Sequence, residues 1–597
     1  MRIPLTQLTT LTATLSLQLL TLTCQAGTPT ADVIYQHGKI YTADAQDSLQ
    51  QALAIKDGRL LYVGSDAGVV RLAGEHTKII DLNGRLAMPG LVDGHMHPLE
   101  AGSKLLKCTL NYEPLSTSAF QARIQACLDA SQAKEPAAWL EVVAWFQQSM
   151  PKASRSVLDA LKTQRPIVVR DSFGHTVLAN SKALALVHIT RDTKDPVGGI
   201  IEHDSQGEPS GLLQDAAYDG FDALLPTMTP QQAKQAARVA LDAMAQQGVT
   251  SFLDAMSTEE ALTAFTAVSR DHELTARAHF APVIDPADTA AAPAVVAKVV
   301  ALQKRFDQGA LTAKPSITLR NAKIFIDGVI AGPAFTGAML EPYLTNVGSE
   351  QAPHWQPSTL RGPEPYFPAP RLKAIVLALA KAGIDPHMHV DGDRAVQEAL
   401  NSIESMRQVY PNADIRPALA HCEIVDPADY TRFKTLGVYP VLSMQWQKRA
   451  PDTVDQLSDY LGPTRAALLE PAGLLAEAGA PIAFGSDWPV DALDEWFAFK
   501  VGVTRENSSA AGPHYAGRLG ADPGLTVRQV LRAATIEAAR ELHEDEVTGS
   551  LEVGKFADLI VLDRNPLEIQ PADIANVRVV QTLVGGLAVY ENTSLWH

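Results

Sequence analysis

Two histidines one residue apart end the apolar run Met88-Pro-Gly-Leu-Val-Asp-Gly-His-Met-His97. In an extended segment the side chains at i and i+2 leave the same face, so His95 and His97 can bind one ion together. Gly90 and Gly94 within the run let backbone and metal approach closely. Such a pair also occurs as an accident of a core or a surface, and it becomes specific only in company. Downstream stand Lys323, His389, His421 and Asp487. Neutral imidazoles suit a borderline divalent ion such as zinc, and an aspartate adds charge and a proton acceptor. Lys323 fits this company in one of three ways. Its amine can be a carbamate bridging two ions, a free lysine beside a single ion, or the ion-pair partner of Asp327.

Something must carry these side chains to one place. Short runs such as 166–170, 249–254, 276–280, 322–326, 384–389, 418–421, 438–442 and 481–487 read as buried strands. Alanine-rich amphipathic segments at 230–247, 371–383 and 395–409 lie between them. That alternation predicts an α/β chain with a parallel sheet, and with the His-x-His strand there are enough strands for a (β/α)8 TIM barrel. The ligand-type residues then fall at the strand ends that build active sites in such barrels. Lys323 is the exception, since it stands early in its run. The stretches 99–227 and 332–370 break the repeat and read as insertions over the barrel mouth. Strand-like segments at both chain ends, within 27–87 and 548–597, are expected to pair into one small β domain around a barrel spanning 88–547. Leu82-Asn-Gly-Arg85 is a two-residue hairpin signal.

The formal charge of −17 argues against nucleic acid and anionic membranes as partners. Residues 1–26 carry one basic residue, Arg2, a Leu/Thr-rich stretch and small residues at Cys24 and Ala26, which reads as a secretory signal peptide cut after Ala26. Acylation of Cys24 is the competing reading. No other stretch approaches the roughly 20 apolar residues of a membrane span. The expected protein is exported, periplasmic or secreted, and a homodimer is compatible with its size. Cys108 and Cys127 either form a disulfide in that oxidising setting or remain two buried thiols. Cys422 reads as core.

The run 88–97, Lys323-Ile-Phe-Ile-Asp-Gly328, His389-Val-Asp-Gly-Asp-Arg-Ala395, His421-Cys-Glu423 and Gly485-Ser-Asp-Trp-Pro489 together resemble the amidohydrolase superfamily, and within it the amidohydrolase-3 branch that includes N-substituted formamide deformylase. The segments 173–182 and 196–199 share the likeness, and the terminal β segments, within 27–87 and 548–597, resemble the family's small β-sandwich domain. The resemblance implies two divalent metal ions, zinc by preference. His95, His97 and Asp487 would hold one, His389 and His421 the other, and a carboxylated Lys323 would bridge them. It implies hydrolysis of an amide-type C–N bond in a small molecule by a metal-bound hydroxide, with Asp487 as general base and then acid. Asp391 departs from the small or apolar residue more usual there. His175, Arg394 and Trp488 are candidate substrate contacts, and Trp355, Tyr343 and Phe367 with Trp488 are candidates for an apolar pocket. The alternatives are a mononuclear deaminase-like site built on His95, His97, His421 and Asp487, a lactone or ester hydrolase, and an exported protein that only binds a ligand.

Overall fold

The computed structural model describes residues 29–596 apart from 132–134, 136, 151, 173, 175, 197, 198, 333 and 350. The expected signal segment and His175 therefore lie outside the described residues.

The central strands are parallel, as the β-to-α alternation demands. They run in two hydrogen-bonded sheets. One orders Ile317–Thr318, Arg277–Pro282, Val249–Ser257 and Leu91–Met96, and the other orders Asn321–Phe325, Asp385–Val390, Ala418–His421, Tyr439–Leu442 and Ala483–Phe484. In place of the expected single ring, the regular ladders form two separate sheets, with backbone hydrogen bonds between them at two points. At one join Ile284 N–H donates to the Lys323 carbonyl at 2.8 Å, and at the other Asp487 N–H donates to the His95 carbonyl at 2.7 Å. The second join is irregular for a local reason. The last strand, Ala483–Phe484, is two residues long, and Asp487 beyond it has φ +54, which no strand residue adopts.

Amphipathic helices cover the sheets. Helix Pro230–Gln247 starts from a Thr229/Gln232 capping box and ends where Gly248 turns left-handed at φ 92. Its alanines and leucine meet the main core, which also holds Phe252, Phe265 and Phe280. Helices Ala369–Ala382 and Asp393–Val409 follow the expected pattern with starts shifted by two residues. Among the described residues no helix is long and apolar enough to cross a membrane.

Strands from the two chain ends build two further sheets. One contains Arg59–Gly64, Ala52–Lys56, Val33–Gln36 and Lys78–Asp81. The other joins Leu86–Pro89 to Lys39–Tyr41 on one side and to Leu559–Leu562 on the other. Tyr35, Leu53 and Ile55 of the first sheet share an apolar core with Ile40, Val561 and Val580 of the second. Here the hairpin expectation fails. Asn83 and Gly84 do take the two positive φ values of a tight turn, 54 and 77, but the flanking strands pair with Val33–Gln36 and Lys39–Tyr41 and so enter different sheets. Long-range partners override the local signal.

Ile167–Asp171 also departs from expectation. It lies in a six-stranded mixed sheet between Leu140–Trp145 and the antiparallel Thr176–Ala179, not among the central parallel strands. This sheet belongs to the first insertion, and Cys108 and Cys127 are bonded at its edge. Cys422 is a buried free thiol. In the second insertion, Leu344–Asn346 pairs with Trp355–Pro357.

One buried ion pair ties the terminal sheets to the central ones. Arg277, from a central strand, donates from Nε to Asp558 Oδ2 at 2.7 Å and from Nη2 to Oδ1 at 3.2 Å, and both side chains are fully buried.

Candidate metal centre

His95 lies on strand Leu91–Met96, and His97 follows at the N-cap of helix Pro98–Leu105. The strand is held from two sides. Asp93 Oδ1 accepts the N–H of His95 at 3.0 Å and that of Ser486 at 3.1 Å, while His97 N–H donates to the Trp488 carbonyl at 2.7 Å. Gly485 is obligatory at this crossing, because a Cβ there would stand 2.5 Å from the Cβ of His95. The turn that follows presents Asp487 to the pair: its Oδ1 lies 2.9 Å from His97 Nε2 and 3.3 Å from His95 Nε2.

A second group faces the first. His389 comes from strand Asp385–Val390 and His421 ends Ala418–His421 with φ 77. Asp391 joins them with Oδ1 3.8 Å from His389 Nε2. The His421 ring centre is 4.7 Å from that of His389 and 4.8 Å from that of His95, and the ring stacks on Trp446. Lys323, 1% exposed, stands with Nζ 3.4 Å from His95 Nε2. The structure therefore brings together all six residues expected as ligands. It forms two compact donor groups, His95/His97/Asp487 and His389/Asp391/His421.

These groups fit divalent ions. Asp487 Oδ1 is buried and close to two imidazoles yet makes no aligned hydrogen bond among the described residues, and the same holds for Asp391 Oδ1. Such donor atoms converge on a shared point rather than on each other. Burial, the Lys323 charge and the neighbouring imidazoles hold His95 well below the usual imidazole range, and burial does the same for His421, so both present free lone pairs. Burial would lift Asp487, but His97 and His421 outweigh it and keep the carboxylate ionised. Burial lowers Lys323 to about 8, which leaves a useful fraction of neutral amine. The Asp327 alternative for Lys323 is not formed. Asp327 instead accepts the backbone N–H groups of Ala338, Asp391 and Gly392 at 2.8–3.0 Å.

Two supporting residues escaped the sequence reading. His95 Nδ1 lies 2.7 Å from His387 Nε2, and His387 Nδ1 lies 3.3 Å from Glu541 Oε1, with all three side chains buried. When His95 uses Nε2 as ligand, its Nδ1–H donates to His387, whose own N–H donates to Glu541; this fixes tautomer and ring orientation. A signal for His387 was present, since His387-x-His389 repeats the i, i+2 spacing. Glu541 has none, being 154 residues from its partner. Replacing His387 with Gln is expected to weaken metal affinity by about 10- to 100-fold. Chelator competition measures this directly, and an unchanged affinity would remove the relay from the account.

The donor groups line the floor of a cavity of about 500 Å³, whose apolar wall includes Met256, Phe325, Val329, Trp446 and Leu457. Gln147, Asp171 and Gln214, within 99–227, also line it. The aromatic residues expected to form the pocket do not line it. Tyr343, Phe367 and Trp488 are core residues, and Trp355 packs on Tyr460, because each covers apolar surface beneath its own loop. Arg394 likewise stands outside the cavity lining, paired with Glu364 and Glu398.

The chain is 27% identical over 570 residues to the protein LONG AFTER FAR-RED 3 of Arabidopsis thaliana, covering 94% of this chain and 92% of that one. It is 24% identical to the N-substituted formamide deformylase of Arthrobacter pascens, covering 94% and 99%. An uncharacterized metal-dependent hydrolase from Pyrococcus horikoshii superposes with a TM-score of 0.68 at 21% identity, over 90% of this chain and 99% of that one. The family model of the amidohydrolase-3 branch matches residues 78–590, and with nearly the whole described chain and its metal-donor set inside that span, the protein belongs to the amidohydrolase family.

Proposed function

We propose that this protein is a binuclear metal-dependent hydrolase of amide-type C–N bonds, with N-substituted formamides and N-acyl amines as its substrate class. The observation that carries the reading is the pair of facing donor groups on the floor of one cavity, with Lys323 beside them. The similarity to a formamide deformylase directs the choice of bond. The two central sheets are read as one closed (β/α)8 barrel, completed by the joins at Lys323 and Asp487, and the terminal sheets as a β-sandwich.

When bound, two divalent ions, zinc by preference, supply a water of lowered pKa and polarise the substrate carbonyl. The rest belongs to the chain. Lys323 is carried as a carbamate, formed when its neutral amine adds carbon dioxide and releases a proton, and His95, held by His387, stays neutral as a ligand. Asp487 takes the proton of the attacking water on its carboxylate and passes it to the leaving nitrogen. The wall of Phe325, Val329 and Leu457 keeps bulk water from the reacting carbonyl.

The deciding experiment is metal analysis of protein purified without chelator, together with the intact mass of the lysine-containing peptide and a screen of N-formyl and N-acyl amines. Two ions per chain, a carbamate on Lys323 and amine release support the reading. One ion with an unmodified lysine would replace it with the mononuclear site. Chelation is expected to abolish turnover and to lower the unfolding midpoint, since bound metal stabilises the folded chain, and zinc should restore both. The leader-like segment and the Cys108–Cys127 disulfide support an exported, periplasmic or secreted location.

A further inference from the structure

The two donor groups orient their histidines by different means. His95 is turned by the contact of its Nδ1 with His387. His421 has no comparable contact, since its Nδ1 is buried without a hydrogen-bond partner among the described residues. Its strand also ends there, with φ 77 at His421 and 52 at Cys422, so strand alternation no longer sets the direction of the side chain.

What lies against the ring is an indole. The ring centres of His421 and Trp446 are 5.4 Å apart and their planes 25° from parallel, whereas His95 and His389 meet His421 at 67° and 63°. An imidazole laid flat on an indole cannot turn about its Cβ–Cγ bond without driving an edge into the neighbouring face. The indole is pinned as well, because its Nε1–H donates to Asp491 Oδ2 at 3.0 Å.

Asp491 follows the turn that presents Asp487, in which Val490 N–H donates to the Asp487 carbonyl at 2.9 Å. Two neighbours of Trp446 grip the same turn. Gln445 Nε2 donates to the Ser486 carbonyl at 2.6 Å, and Ser443 Oγ donates to the Gly485 carbonyl at 2.9 Å. Segment 443–446 thus holds the turn of one donor group with three side chains and lays the face of one of them against a histidine of the other.

We propose that Trp446, pinned by Asp491, is a positioning residue for the metal centre: its indole face sets the His421 ring for coordination and ties the His389/His421 group to the turn bearing Asp487. This rests on the metal-dependent reading of the site and not on the number of ions, because His421 is a donor in the binuclear and the mononuclear arrangement alike. The competing role for Trp446 is a plain wall of the cavity, which it also lines.

Zinc affinity is measured by chelator competition on the full chain and on W446A, W446F, D491A and W446F/D491A, with metal content and circular dichroism alongside. W446A should hold the ion bound by His421 about tenfold more weakly, the scale on which residues supporting a ligand act. In a two-ion protein the loss should fall on one ion per chain. W446F keeps an aromatic face and should recover most of the affinity. D491A should weaken zinc binding in the unaltered background and add nothing in W446F, which has no N–H to pin. That non-additivity belongs to a brace and not to packing. Unchanged zinc affinity in W446A or in D491A, or additive losses in W446F/D491A, overturns the proposal, and the cycle of W446F with D491A decides it even if W446A does not fold. A higher KM in W446A with zinc affinity intact would leave Trp446 as a wall and keep the hydrolase. An unaltered chain that binds no zinc would remove both readings.

Discussion

Asp487→Asn should lower kcat/KM for an N-formyl or N-acyl amine by about a thousandfold. Positioned acid–base catalysis alone contributes roughly 10²- to 10⁴-fold, and the substitution also exchanges an anionic metal donor for a neutral amide. The carboxylate is kept ionised by His97 and His421 despite its burial, and its Oδ1 is close to two imidazoles without an aligned hydrogen bond, so it is available to a metal and to a proton. Asn is nearly isosteric and tolerates positive φ, so the turn at φ +54 survives and the change is chemical rather than conformational. Steady-state kinetics with parallel metal analysis and circular dichroism make the test. A loss below tenfold with metal retained would mean that the proton travels by another group.

Removing the Asp558 carboxylate, as Asp558→Ala, should cost about 3–5 kcal/mol of stability, because it strands a fully buried guanidinium. Asp558 is also bonded to Gly585 N–H at 2.6 Å and to Thr548 Oγ1 at 3.0 Å, so three segments lose an anchor together. A double replacement by apolar residues, Arg277→Met with Asp558→Leu, should destabilise less than the single Asp558→Ala, since it removes both charges. Unfolding midpoints of the metal-free chain resolve the cycle. If the single and double variants lose equal stability, the pair is not the coupling described.

The candidate donor set was legible because the spacing and placement of such residues leave a local mark. His95 and His97 share a strand face by spacing alone, and strand-end positions for His389, His421 and Asp487 follow from where buried runs stop. Lys323 sits in mid-strand, and only its chemistry made it readable. Contacts between remote segments left no such mark. Asn83-Gly84 signalled a turn correctly but could not reveal that Leu86–Pro89 would find Leu559–Leu562. The segment 166–170 has the composition of a buried strand in any sheet, so its antiparallel partner Thr176–Ala179 decided where it belongs. Tyr343, Phe367 and Trp488 were large and near loops, and burial beneath those loops, which no periodicity encodes, withdrew them from the cavity.

Strand Leu86–Pro89 runs through Gly90 directly into the strand bearing His95, and its antiparallel neighbour is Leu559–Leu562. Tyr35 bonds to Gln581 over a separation of 546 residues. The strand that leads into the first candidate donors therefore gains its antiparallel neighbour only when the C-terminal strands are in place, and full support of the site is expected late in folding. A chain truncated before 559 loses that neighbour, and it is expected to hold metal more weakly than the full chain however well its helices form.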